Sequence, residues 1–174
     1  MPLLPIETER LLLRLPDADD AEPFVDIHQD LEVIARKQVT LTSPPGGKDV
    51  GARNVERMLR HWDLRGHGQW AVVERATAQV IGCVGFLQTD DLIELGWIFR
   101  RSRWGNGFAT EAARAAIDWA WRTGRIDHVM SLIGRDNAAS MRVATKIGQR
   151  FEGEGICPSS GENVMIYGIR KGGI

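Results

Sequence analysis

The sequence predicts an α/β chain, one mixed sheet flanked by helices, and three observations carry that reading. Apolar residues recur at helical spacing between Val50 and Trp62 and again beyond Gly107, whereas from Gln69 to Phe99 the period changes and the chain is rich in β-forming residues. Within that stretch three β-rich runs are separated only by ATA and TDD, the pattern of an antiparallel meander. The chain has 174 residues, 43% apolar and 26% charged, enough to bury one core without staples, so a single domain over 1–174 is expected.

Taken in order, ETERLLLRL (7–15) places Leu11, Leu13 and Leu15 on one side at period two and predicts a first strand. PDADD ends it, and Asp17 or Asp19 can cap a helix running to about Asp30. TLTSPPGGKD (40–49) reads as loop. Val50, Val55, Met58, Leu59 and Trp62 then predict a second helix that ends near RGHG. WAVVER, QVIGCVGFLQ and LIELGWIF are the strands of the meander. A helix over 107–122 follows, closed by Gly124, with Glu111, Arg114, Asp118 and Arg122 on one face and small apolar residues opposite. DHVMSLI (127–133) alternates as a strand. Asn137 or Asp136 caps a shorter helix over about 138–147 that stops at Gly148, and strands over about 149–157 and 163–170 flank the turn PSSGEN. The predicted order is β-α-α-β-β-β-α-β-α-β-β.

Composition narrows the function classes. A formal charge of −1 gives no global electrostatic case for nucleic acid or an anionic membrane as partner. Cys83 and Cys157 form no CxxC or Cys/His spacing, and His28, His61, His67 and His128 are scattered, so neither a disulfide framework nor a metal site is expected. No apolar run approaches the ~18 residues of a membrane span. The apolar start MPLLPIETERLLLRL is interrupted by Pro5, Glu7, Glu9 and Arg10, unlike a secretory leader, and a cytoplasmic location is expected.

The stretch RSRWGNGFATEAARAAIDWAW (101–121) carries the first functional signal. A helix N-terminus presents unpaired N–H groups and partial positive charge, and glycines let an anion approach the backbone closely. Gly105 and Gly107 stand at such a helix start, with Arg100, Arg101 and Arg103 upstream as possible phosphate partners. On local chemistry alone the same residues also fit a tight strand-to-helix turn. GNGFATEA lacks the lysine and hydroxyl of a P-loop, and Thr110 stands where the dinucleotide fingerprint needs glycine or alanine.

Three ordered motifs, ELGWIF, RWGNGFATEAARAAIDWAW and RDNAASMRVATKIGQRFEGEG, together with the opening IETERLLLR, resemble the GNAT superfamily of acetyl-CoA-dependent N-acyltransferases over nearly the whole chain. Within it they are most similar to the RimJ/RimL-type branch, whose best-known members acetylate N-terminal amines of ribosomal proteins. The resemblance implies the GNAT fold, α+β, with a mostly antiparallel central sheet and helices on both faces. It aligns Trp104, Gly107 and Ala109 with the family's pyrophosphate loop, so the amides of Gly105, Asn106, Gly107, Phe108, Ala109 and Thr110 would grip the pyrophosphate of CoA. Ile98, Phe99 and Arg100 would pair by their backbone with the pantetheine arm. Asn137 and Ser140 match the branch's NxAS motif, the asparagine contacting the cofactor arm and the serine lying near the thiol. The branch's K-[LI]-G-F is broken here, because Lys146, Ile147 and Gly148 are followed by Gln149, with Phe151 two residues on.

The implied reaction moves acetyl from acetyl-CoA, the only cosubstrate, directly to an amine. It needs a base for the amine and a proton for the departing thiolate. Glu94, a carboxylate inside the apolar run LIELGWIF, is the candidate base; the other account places it on the solvated face of an edge strand. Ser140 is the candidate acid by resemblance, and a helix-start serine bonded to backbone is its alternative. Tyr167, the only tyrosine, is a second candidate acid or a core aromatic. Trp97, Trp62 and Trp70 are candidates for the acceptor pocket. Protein N-termini are the first acceptor expected by resemblance, a small-molecule amine the second, and a non-catalytic CoA sensor the rival from another class; the family also suggests a homodimer.

Overall fold

The computed structural model of the protein describes residues 5–36, 48–89 and 92–172. Most of the loop expected over 40–49 lies outside the described residues, although Lys48 and Asp49 already belong to a helix. Eight strands form one sheet in the order β1-β2-β3-β4-β5-β6-β8-β7. They are β1 (Ile6–Glu7), β2 (Leu11–Arg14), β3 (Gln69–Glu74), β4 (Gln79–Thr89), β5 (Leu92–Phe99), β6 (His128–Gly134), β7 (Arg150–Ile156) and β8 (Asn163–Arg170). Every neighbouring pair is antiparallel except β5 and β6, which run parallel. The mostly antiparallel α+β sheet expected from the resemblance is therefore the architecture of this chain.

Five helices accompany the sheet among the described residues: α1 (Ala21–Gln29), α2 (Leu31–Arg36), α3 (Lys48–Arg65), α4 (Phe108–Thr123) and α5 (Ala138–Lys146). Two departures from the sequence reading have local causes. The first strand is a small hairpin, because Thr8 turns the chain, its N–H donating to Leu11 O at 2.9 Å and its hydroxyl accepting from Leu11 N at 3.0 Å. The first helix stops at Asp30, whose backbone is extended at ψ 118, and its carboxylate accepts from Glu32 N at 2.9 Å to start α2.

Helices cover both faces because successive side chains of a strand point to opposite sides. Leu95 and Phe99 of β5 pack with the alanine-rich face of α4, where Ala112, Ala113 and Ala116 are fully buried. Such small side chains let the helix lie close to the sheet, while Arg114, Asp118 and Arg122 face solvent. Trp62, Trp70, Phe86 and Trp119 form an aromatic cluster in this core, with Trp62 and Trp70 centroids 4.9 Å apart at 70°. On the opposite face Ile98 packs with Phe24 and Ile27 of α1 and Val55 and Met58 of α3. No helix among the described residues is long and apolar enough to cross a membrane.

Candidate active site

A pocket opens where the sheet splits. β5 pairs with β4 along its whole length, from Gly82↔Phe99 to Thr89↔Leu92, yet its ladder to β6 consists of Glu94↔Met130 alone. One step further the Ser131 hydroxyl bridges the gap, donating to Leu95 O at 2.8 Å. Beyond that hydrogen bond the strands diverge and leave a cavity of about 360 Å³. Its walls are the β5 run Glu94–Phe99, the β6 residues Ser131, Leu132 and Ile133, and the starts of α4 and α5.

The glycine-rich turn forms the outer end of this cavity. After β5 the chain bends through a short 3-10 turn, Arg101–Arg103, and the Trp104 indole donates back to Phe99 O at 2.8 Å. Gly105 and Gly107 both hold left-handed backbone, φ 77 and φ 80, a conformation open to glycine at little cost. Gly107 is the N-cap of α4 and supplies no capping side chain, so the first-turn amides of Phe108, Ala109 and Thr110 stand at the cavity wall. At α5 the N-cap is Asn137, accepting from Ser140 N at 3.1 Å, while Asp136 is exposed and plays no such part. Two helix N-termini thus point partial positive charge at one opening.

Of the residues singled out from the sequence, Glu94, Ile98, Phe99, Trp104, Gly105, Gly107, Phe108, Ala109, Thr110, Asn137 and Ser140 all line this cavity. Arg100 and Asn106 do not. The Arg100 N–H donates to Ile81 O at 2.8 Å, which places that group on β4, and the Asn106 amide folds back onto Arg103 O at 3.3 Å and Trp104 O at 3.0 Å to brace the turn. Of the upstream arginines, Arg101 pairs with Asp30 at 3.3 Å away from the cavity, whereas Arg103 lines the cavity while its guanidinium pairs with Glu74 at 3.0 Å. The cations that sequence reasoning missed are Arg142 and Lys146, which line the cavity from α5. Their i, i+4 spacing behind Ser140 was the available signal.

Glu94 sits on an inner strand and is 5% exposed, which excludes the solvated edge as its setting. By alternation it shares the α1/α3 face with Ile98, whereas Ser131 and the start of α4 belong to the other. Tyr167 lies outside the cavity, half-buried on β8 opposite Ser131, its ring 5.8 Å from Phe151. Trp97 lines the cavity; Trp62 and Trp70 belong to the aromatic core. Gln149 is buried at 2% exposure but does not reach the cavity, its amide nitrogen standing 3.5 Å from Val129 O, and Phe151 is displaced to the surface at 52%. His61 and His67 are packed 5.5 Å apart and away from the cavity. Burial, reinforced by the neighbouring His67, pushes His61 down to about 4. Among the described residues no cluster of His, Cys, Asp or Glu could hold a metal ion.

The sequence profile of the acetyltransferase (GNAT) domain matches residues 10–150. The chain belongs to the GNAT acetyltransferase family. It is 31% identical over 157 residues to the uncharacterised protein YkkB of Bacillus subtilis strain 168, covering 83% of this chain and 84% of that protein. It is 27% identical over 150 residues to the uncharacterised N-acetyltransferase p20 of Bacillus licheniformis, covering 84% and 82%. Among solved structures, an acetyltransferase from Agrobacterium tumefaciens strain C58 superposes with a TM-score of 0.80 at 25% identity, covering 98% of this chain and 96% of that one. The fold is also that of the ribosomal L7/L12 alpha-N-protein acetyltransferase RimL in complex with coenzyme A, at a TM-score of 0.82, 16% identity and coverage of 96% and 98%. The protein is accordingly an acyl-transfer enzyme of this family, and its split sheet is the place to look for the chemistry.

Proposed function

We propose that the protein is an N-acetyltransferase that moves the acetyl group of acetyl-CoA directly onto a primary amine. The observation that carries the reading is the cavity at the sheet fork, which joins an uncapped glycine-rich helix start at one end to a buried carboxylate, Glu94, at the other. Phe108, Ala109 and Thr110 would bind the pyrophosphate through their N–H groups, with Arg142 and Lys146 adding charge at the opening. The edge of β5 around Trp97, beyond the Ser131 bond to Leu95 O and before the Trp104 bond to Phe99 O, offers main-chain groups to an amide-bearing arm lying along it.

In this reading the Glu94 carboxylate takes a proton from the acceptor amine as its nitrogen attacks the thioester carbonyl, and the Ser140 hydroxyl returns one to the departing sulfur as the C–S bond breaks. No covalent enzyme intermediate is needed, since a thioester held beside an amine gains much of its rate from orientation. The acceptor we favour is a protein N-terminus, in line with the branch its motifs resemble, and a small-molecule amine is the alternative. A cytoplasmic setting agrees with Cys83 and Cys157 being buried thiols.

Calorimetry with acetyl-CoA followed by thiol release over a panel of N-terminal peptides and small amines tests the proposal. Binding with turnover on peptides is the expected result. Turnover only on small amines selects the alternative acceptor, binding without turnover across the panel selects a CoA sensor, and no binding sinks all of these readings.

A further inference from the structure

The cofactor-binding turn is tied to the other end of the chain by one side chain. Arg10, in the β1–β2 hairpin, donates from Nη1 to Asn106 O at 2.9 Å and holds its guanidinium carbon 4.5 Å from the Phe108 ring centroid. Its Nη2 stands 3.5 Å from where a β-carbon on Gly107 would be, so the guanidinium packs against the bare face of that glycine. From Nε it donates to Glu111 Oε2 at 2.7 Å, and its Nη2 pairs with the same oxygen at 2.7 Å. Glu111 Oε1 receives the Arg10 backbone N–H at 2.9 Å and the Thr8 hydroxyl at 2.6 Å. One arginine therefore contacts residues 106, 107, 108 and 111.

Two physical needs meet here. Left-handed glycines at 105 and 107 make the turn accommodating but flexible, and backbone N–H groups bind an anion well only when they are already aimed. Glu111 also places a negative charge in the first turn of α4, beside the proposed anion site, where it would oppose a pyrophosphate unless neutralised. Burial alone would push the Glu111 carboxyl up, but hydrogen bonds from Thr8 and Arg10 outweigh it and hold the group below its ordinary range, charged and paired.

We infer that Arg10 is a positioning residue for the acetyl-CoA site: its forked guanidinium pins Asn106 and Glu111 together, aims the amides at the start of α4, and cancels the carboxylate charge beside them. The inference rests on the reading of the cavity as an acetyl-CoA site. It goes beyond that reading by assigning part of cofactor affinity to a residue outside the cavity. Lysine cannot replace the arginine in this role, because a point charge on a flexible stem does not hold two acceptors at fixed positions.

The test is calorimetry with acetyl-CoA and steady-state kinetics on the wild type and on R10M and R10K. Methionine keeps an apolar stem over Phe108 and removes the donors. R10M is expected to weaken acetyl-CoA binding by about tenfold or more, the scale of losing charge-assisted hydrogen bonds, while kcat at saturating acetyl-CoA stays within about threefold, as expected when the lost interaction acts on ground and transition state alike. R10K is expected to remain clearly weaker than wild type. An R10M that loses thermal stability yet binds acetyl-CoA as the wild type does would reduce Arg10 to a strut and overturn the inference. So would an R10K with wild-type affinity, which also serves as the deciding variant should R10M fail to fold. Wild-type protein that does not bind acetyl-CoA would instead refute the proposed function, so the two failures are distinguishable.

Discussion

Helix α4 carries a left-handed glycine at each end, Gly107 at φ 80, ψ 3 and Gly124 at φ 64, ψ 15, and the pair makes a controlled experiment. A β-carbon at Gly124 meets nothing within 4 Å, and at Gly107 it meets only Arg10 Nη2, at an ordinary contact distance of 3.5 Å. Changing either to alanine therefore introduces left-handed strain of about 1–2 kcal/mol and little else. G124A should lose about that much stability in urea denaturation, and G107A less, because its exposed turn can relax. Only G107A should lose cofactor affinity. In the free protein its turn relaxes away from the left-handed region, and binding must restore the strained form at the same ~1–2 kcal/mol, a factor of about five to thirty in Kd. Calorimetry with acetyl-CoA reads the difference. A G107A protein that binds as tightly as G124A would refute the claim that the turn's conformation, rather than its mere presence, makes the anion site.

Three further outcomes follow from the same geometry. Glu94→Gln should lower kcat by about a hundredfold, the scale of general-base catalysis, while the KM for acetyl-CoA moves little; an unchanged rate removes Glu94 from the mechanism. Ser131→Ala leaves the Leu95 carbonyl at the fork without its buried donor and should cost about 1–3 kcal/mol of stability, which chemical denaturation can reject if the midpoint does not move. His61 is held neutral in the fold to about pH 4 but takes a proton near pH 6.5 once unfolded, so the unfolded state binds more protons between those values. Stability should fall as pH drops from about 6.5 to about 4, and His61→Leu should flatten that part of the urea-midpoint profile; a slope identical to wild type would show that His61 does not carry it.

Much of the architecture was legible because local patterns and tertiary demands agree. The near-continuous apolar runs in WAVVER, QVIGCVGFLQ and LIELGWIF are the direct trace of strands covered on both sides, and Gly124 and Gly148 end the helices that the periodicity marks. What local pattern could not show was competition between partners. Asp30 breaks the first helix because its carboxylate caps a second one, and Arg101 and Arg103 face carboxylates from α1–α2 and β3 that no local window contains. Gln149 poses the same problem in reverse: a polar residue in place of the expected aromatic is buried just before β7, while Phe151 within that strand is exposed.

The sequence by itself determined the family, the period of every main element and the glycines that a left-handed helix start requires, since each depends on residues within one turn or strand of each other. Tertiary structure alone decided that β5 and β6 meet at a single rung, because strand divergence depends on how two distant segments pair rather than on the propensity of either. It alone placed Glu94 in the wall of the resulting cavity, at the rung where the strands join, and brought Arg10 across some hundred residues to the glycine turn, since contacts at that range are set by the packing of the whole sheet.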